Sequence, residues 1–214
     1  MLIHFENVVP EPLHGVANPK SEVWQTHLEL QPHKSYQVYS PSGKGKSSFL
    51  HIIYGLRSDF TGHVKLNGKD TKSISVDEWA VIRQKQLSIV FQDLRLFLEL
   101  TAWENLLVKA SLYPENKDDE LKQHAELLGV SHVLHKPAHT LSYGERQRIA
   151  IIRSLIQPFE ILLLDEPFSH LDEENIQKAS KLIAQKAKDQ NASILMTSLG
   201  YEYHLQFDEK KLLG

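Results

Sequence analysis

The sequence holds no cysteine, which excludes disulfides, thiol nucleophiles and thiolate metal sites. No apolar run approaches the ~20 residues that cross a bilayer; the longest clean stretches, such as Ile161 to Leu164, are strand-sized. Neither sign of charge dominates. The 24 Lys+Arg and 27 Asp+Glu among 214 residues leave a formal net charge of −3, which argues against a chain built to coat nucleic acid or an anionic membrane. The start, Met1-Leu2-Ile3-His4-Phe5-Glu6, has no basic segment leading into an apolar one, so no secretory signal is expected. Repeats and low-complexity tracts are missing as well. What is present, 41% hydrophobic and 8% aromatic residues, suits one compact domain, or two subdomains sharing a core, in a soluble protein of a reducing compartment.

Strand patterns come first, at Leu2 to Val9, His27 to Leu30 and Tyr36 to Tyr39. Phe49, Ile52, Ile53 and Leu56 then fall at helical spacing, ended by Gly55. Val64 to Leu66 runs into an Asn67-Gly68 hairpin turn. Ser75 with Glu78, and Thr101 with Glu104, are capping-box patterns that open helices, the second with Trp103, Leu106, Leu107 and Ala110 on one face. A further helix is expected from about Lys117 to Leu128, stopped by Gly129, its acids Asp118 to Glu120 a solvated start. Residues 93–140 therefore read as a helical insertion in an α/β core. Leu87 to Phe91, Glu160 to Leu164 and Ser193 to Thr197 read as core strands, with a helix after Asp172, spacing that favours a mainly parallel sheet.

Chemistry concentrates in three places. Ser40-Pro41-Ser42-Gly43-Lys44-Gly45-Lys46-Ser47-Ser48 lies between a strand and a helix. Its glycines let backbone N–H groups turn inward around phosphate oxygens, Lys46 can reach the β- and γ-phosphates, and Ser47 can ligate Mg²⁺. Ser40 stands where the first glycine of the P-loop pattern belongs, at a cost of about 1–2 kcal/mol if the backbone there is left-handed. Second, Ile161 to Leu164 is followed by Asp165-Glu166, two carboxylates at the end of a buried parallel strand, where ligands of such sheets bind. Asp165 is expected to hold Mg²⁺ and Glu166 to deprotonate the attacking water. Third, Leu141-Ser142-Tyr143-Gly144-Glu145 precedes that strand, a serine and free N–H groups at a helix start.

That third segment resembles the signature sequence of ATP-binding cassette (ABC) ATPases, read Leu-Ser-Gly-Gly-Gln, with Ser142 and Gly144 matching and Tyr143 and Glu145 substituted. Gln92 fits the family's Q-loop glutamine, and Ser169-His170-Leu171-Asp172 its D-loop; the resemblance runs from about Tyr36 to Thr197. Residues 89–107 are similar to the small export-type cassettes of lipoprotein release, cell division and macrolide export (the LolD, FtsE and MacB group). The resemblance implies an α/β P-loop NTPase with a RecA-like core, an N-terminal antiparallel β subdomain and an inserted α-helical subdomain, all in one domain over 1–214. It implies ATP and Mg²⁺ as cofactors. Ser42, Gly43, Lys44, Gly45, Lys46, Ser47, Ser48, Ser142, Gly144 and Glu145 would bind nucleotide; Ser47, Gln92 and Asp165 would hold the metal; and Glu166, Lys46 and Gln92 would serve catalysis. It further implies a head-to-tail ATP-dependent dimer, with itself or a second cassette. The dimer would drive membrane-spanning permease subunits from the cytoplasmic face of the inner membrane, with a partner helix docked beside Gln92 and Thr101 and no nucleic acid bound.

Departures open a second reading. Ser198 stands where the family's switch histidine is expected, and serine carries no positive charge. With Tyr143 and Ser40 it motivates a nucleotide-gated module of weak or no hydrolysis. His204, six residues on, is the candidate substitute; Phe5 and His14 are the candidates for stacking on adenine. His132, His135 and His139 are spaced like metal ligands but read more simply as solvated loop residues. A soluble ABC protein working on DNA or ribosomes fits less well, since a coiled-coil insertion or second cassette is missing.

Overall fold

A computed structural model describes residues 1–15, 20–113, 117–201 and 203–214. Two sheets organise it. Strands β1 (Ile3–Pro10), β2 (His27–Leu30), β4 (Phe60–Leu66) and β5 (Lys69–Asp70) form an antiparallel sheet in the order β2-β1-β4-β5. Strands β3 (Tyr36–Tyr39), β6 (Leu87–Val90), β7 (Ile161–Asp165), β8 (Ser193–Ser198) and β9 (Glu209–Leu212) form a second sheet, β6-β7-β8-β3-β9, parallel at every pairing. Tyr36 to Tyr39, next to the antiparallel strands in sequence, thus crosses into the parallel sheet.

Period-two alternation with both faces covered explains the apolar runs Ile161 to Leu164 in β7 and Ile194 to Met196 in β8. Leu162, Leu164, Ile194 and Met196 join a core with the helices α3 (Ala102–Ala110), α4 (Asp118–Leu127), α5 (Tyr143–Ser154) and α6 (Glu173–Asp189). Ile161, Leu163 and Leu195 point the other way, into a core with the antiparallel sheet and α1 (Lys46–Ile53). The Asn67-Gly68 turn forms as expected, with φ of 48° and 84°. Before it β4 starts at Phe60, earlier than Val64 to Leu66 suggested, and its Gly62 lies against the β1 bulge at Asn7. A Cβ there would sit 2.3 Å from the Glu6 carbonyl oxygen, so only glycine fits.

Both capping boxes close: Ser75 with Glu78 starts α2 (Val76–Lys85), and Thr101 with Glu104 starts α3. The inner face of α3 differs from the pattern. Asn105, 1% exposed, lies inward with Ala102, Leu106 and Ala110, while Trp103 and Leu107 are half-buried. The Asn105 amide accepts from the Phe97 N–H at 2.8 Å and donates to the carbonyls of Phe97 and Thr101, at 2.9 and 3.0 Å. A polar side chain is buried there because it supplies the hydrogen bonds that the loop before α3 cannot make internally. Asn116 lies outside the described residues. Among the described residues, no helix is long and apolar enough to cross a membrane.

Candidate functional site

The C-terminal ends of β3, β6, β7 and β8 lie side by side, and each carries a site residue. The loop after β3 turns through Gly43 and Gly45, with φ of 78° and 93°, into the start of α1. Gly45 has no alternative: a Cβ would meet Leu13 Cδ1 at 2.6 Å. Trp24, 2% exposed, braces the loop from beneath by donating its Nε1–H to the Lys44 carbonyl at 3.2 Å. Ser40 is not strained, contrary to expectation. Its backbone is not left-handed, its N–H donates to the Ser198 carbonyl at 3.2 Å, and its hydroxyl donates to the Pro41 carbonyl at 3.2 Å.

Lys46 is 5% exposed, and its ammonium donates to the carbonyls of Ser40 and Pro41 at 2.8 and 3.0 Å and lies 3.3 Å from Glu166 Oε1. Glu166 adopts a φ of +46°, an unusual backbone for a residue with a side chain and a mark of functional positions. Ser47 Oγ donates to Gln92 Oε1 at 3.3 Å. Asp165, 1% exposed, accepts from the Thr197 hydroxyl at 2.8 Å through Oδ1, while its buried Oδ2 has no hydrogen-bond partner. An orphaned buried carboxylate oxygen at the sheet end that carries Ser47 and Gln92 is the donor chemistry a hard divalent cation uses, so these residues fit Mg²⁺. The Ser48 hydroxyl is taken by Arg57, which donates to it at 2.7 Å while also pairing with Asp59.

Lys46, Ser42, Gly43, Gly45, Ser47, Ser48, Gln92 and Glu166 line one cleft of about 340 Å³, closed at one side by Pro12 and Leu13. Pro12 and Leu13 went unmarked in the sequence; an apolar pair directly after a strand was the only signal. Phe5 is buried core, its ring 5.1 Å from Phe49, and His14 does not line the cleft. Phe5 therefore cannot stack on a base there.

The signature segment is set apart from that cleft, at the start of α5. Ser142 and Glu145 form a third capping box: the Glu145 N–H donates to Ser142 Oγ at 3.3 Å, and Glu145 Oε2 accepts from the Ser142 N–H and hydroxyl at 2.8 and 2.7 Å. The Ser142 hydroxyl and backbone bonds hold the Glu145 carboxyl below its ordinary range, so it is charged at neutral pH. Glu145 also meets His132 at 3.4 Å, an acidic partner for that histidine, while His139 contacts the Leu98 carbonyl at 3.1 Å. Among the described residues no cluster of three or more His, Cys, Asp or Glu is arranged to hold a metal unaided.

Ser198 is fully buried, and its hydroxyl accepts from Gln37 Nε2 at 3.0 Å and the Gly200 N–H at 3.1 Å. His204 turns to Glu173, Nε2 to Oε1 2.5 Å, not to Glu166. Tyr203 comes closer: its ring packs on Phe168 at 4.9 Å, and burial, with the charge of Glu166, raises its hydroxyl above the usual range. A second cleft, about 260 Å³, opens between the parallel sheet and α3, with Phe97, Val108 and Leu112 exposed at its rim and Arg95, Lys109 and Arg153 among its lining. Burial pushes Arg153 down to about 10 and lowers Lys109.

A wholly parallel sheet, a glycine-turned loop feeding a helix, a buried lysine and an acidic strand end together define the P-loop nucleoside triphosphatase fold. The family model for the ABC transporter matches residues 23–169. The lipoprotein-releasing system ATP-binding protein LolD 1 of Rhodopirellula baltica is 32% identical over 182 residues, 84% of this chain and 79% of that protein. The macrolide export ATP-binding/permease protein MacB of Bdellovibrio bacteriovorus is 31% identical over 188 residues, 87% of this chain but 28% of its own length. Among solved structures, dimeric MJ0796, a bacterial ABC transporter cassette, is similar with a TM-score of 0.73 and 26% identity, covering 91% of this chain and 87% of that one. The same cassette in a post-hydrolysis state bound to ADP and Pi gives 0.72. The chain belongs to the ABC transporter family, as an ATP-binding subunit of the LolD and MacB type, and is an ATPase.

Proposed function

We propose that residues 1–214 act as one cassette, with 93–140 as its helical insertion, that binds Mg-ATP, dimerises head to tail and drives membrane-spanning permease subunits from the cytoplasmic face of the inner membrane. What carries the reading is the meeting of Lys46, Ser47, Gln92 and Glu166 in one cleft. Backbone N–H groups of Ser42 to Ser48 cradle the phosphates, and Lys46 leaves its carbonyls for the β- and γ-phosphate oxygens. Ser47, Gln92 and Asp165 would hold Mg²⁺, which when bound would supply charge neutralisation at those oxygens. Glu166, released from Lys46, accepts a proton from the water that attacks the γ-phosphorus. Pro12 and Leu13 supply an aliphatic wall for the base.

Ser142, Gly144 and Glu145 face the nucleotide of a second protomer, itself or another cassette. The cleft beside α3, with its apolar rim and the cations Lys109 and Arg153, suits a short amphipathic helix of the permease; export-type work like that of the LolD, FtsE and MacB group is the reading that the likeness to LolD and MacB supports. A second reading is a nucleotide-gated module with slow turnover, favoured by the burial of Ser198, whose hydroxyl is committed to Gln37 and Gly200.

Mg-ATP hydrolysis by the purified chain, compared with Glu166→Gln at several protein concentrations, tests both. Turnover that rises faster than linearly with concentration and vanishes in Glu166→Gln is the expected result. Turnover equal in the two proteins refutes Glu166 as the base, and tight ATP binding with no turnover in either selects the gated module.

A further inference from the structure

The first turn of α5 does more than cap a helix. Tyr143, standing where the family pattern has glycine, donates its hydroxyl to the Gln92 carbonyl at 2.7 Å. Its ring lies 4.1 Å from that of His170, and the guanidinium of Arg146 is 5.4 Å from its centroid. Next to it, Gly144 runs so near the His170 carbonyl that a Cβ would come within 3.1 Å, and the His170 N–H donates to Gln147 Oε1 at 3.3 Å. Three segments therefore meet at one side chain: the loop after β6, the start of α5 and the loop after β7.

We propose that Tyr143 is a positioning residue that ties the chain's own nucleotide loop to the α5 surface offered to a second protomer, through its hydrogen bond to the Gln92 carbonyl. Gln92 has two ends in use. Its side-chain oxygen accepts from Ser47, and its carbonyl accepts from Tyr143. A shift of Gln92 when phosphate and metal arrive carries the Tyr143 hydroxyl with it, so the change is registered at Ser142 to Glu145. Glycine at this position makes no such link, because it has no side chain to span from α5 to the loop. The link from Tyr143 to Gln92 stands on geometry alone; its consequence for the second protomer rests on the head-to-tail reading.

The test uses Tyr143→Phe, which keeps the ring against His170 and removes only the hydroxyl, and Tyr143→Gly, which removes the whole link. In a Glu166→Gln background two midpoints are read. One is the Mg²⁺ concentration that half-saturates binding of a fluorescent ATP analogue (mant-ATP) by dilute monomer; the other is the protein concentration at which Mg-ATP assembles dimers in sedimentation. Both are expected to rise about two- to tenfold in Tyr143→Phe, the range one neutral hydrogen bond covers, with affinity for the metal-free analogue unchanged. Either midpoint staying put, or metal-free affinity falling by the same factor, overturns the proposal. A parent chain that never dimerises sinks the head-to-tail reading instead, and the Mg²⁺ midpoint then decides the Tyr143–Gln92 link by itself.

Discussion

Glu145→Gln is expected to tighten the Mg-ATP dimer. Glu145 stands where the family pattern has glutamine, and its carboxylate sits on the first turn of α5, bonded to the Ser142 N–H and hydroxyl. Glutamine keeps an acceptor for both bonds, so the capping box survives and only the charge–dipole contribution, about 0.3–1 kcal/mol, is lost from the isolated chain. In the proposed dimer that helix start receives the γ-phosphate of the other protomer. Two unit negative charges ~6 Å apart repel by about 0.7 kcal/mol in water and about 3 kcal/mol at the effective dielectric of a protein surface. The dimer should therefore gain about 1–3 kcal/mol per site, about five- to 150-fold in affinity, against a fall in Tm of about 2–4 °C at most for a chain of this size. Sedimentation velocity in a Glu166→Gln background with Mg-ATP, at about 50 and about 300 mM salt, reads this directly, and screening should shrink the gain at the higher salt. A dimer midpoint that is unmoved or weakened by Glu145→Gln refutes the placement of this helix start at the nucleotide of the other chain.

Three further substitutions follow from the site. Ser198→Ala should change the ATPase rate less than about twofold and cost about 1 kcal/mol of stability, since the hydroxyl serves Gln37 and Gly200; a rate loss above about tenfold would mean that Ser198 reaches the phosphates after all. Leu13→Ala removes about 1 kcal/mol of half-buried apolar contact, so ATP and GTP should both bind about fivefold more weakly in equilibrium titrations; discrimination between the two bases would point to a contact other than this wall. Asn105→Leu strands the Phe97 N–H and the carbonyls of Phe97 and Thr101, which should cost about 3 kcal/mol or about 6–12 °C in a thermal melt, and an unchanged melt would show that this loop bonds elsewhere.

Local chemistry wrote much of this fold plainly. The four apolar residues of β7 could be read because each face of a covered parallel strand needs its own two, and the capping boxes of α2 and α3 because Ser or Thr and Glu three residues apart satisfy each other without distant help. The phosphate loop and acidic pair were equally legible, being contiguous. What stayed hidden depends on partners far along the chain. Strand β9 is Glu-Lys-Lys-Leu, polar because it lies at a sheet edge, and only its register with Tyr36 to Tyr39 makes it a strand. Asn105 is inward because of a loop it must bond. Ser40 stood out only against a glycine pattern, yet its N–H is tied to the carbonyl of Ser198, 158 residues on (198 − 40). Tyr143 read as a damaged signature position until its hydroxyl met Gln92, which precedes it by 51 residues.

The pairing of Lys46 with Glu166 has a logic of its own. An ammonium only 5% exposed must be neutralised, and here two loop carbonyls and the carboxylate do so. While that pair holds, the carboxylate is committed to a cation 3.3 Å away. In the proposed mechanism phosphate oxygens would compete for the same ammonium with more negative charge than one carboxylate offers, and their arrival would free Glu166 at the moment a γ-phosphate is present to be attacked. The strained backbone of Glu166, φ +46°, and its N–H bond to the Thr197 carbonyl at 3.3 Å hold the carboxylate near that position in either state. Thr197 is also the residue whose hydroxyl bonds Asp165. One side chain and one carbonyl of β8 thus orient both acids, and β8 can serve the site although the residue that ends it, Ser198, points its hydroxyl away.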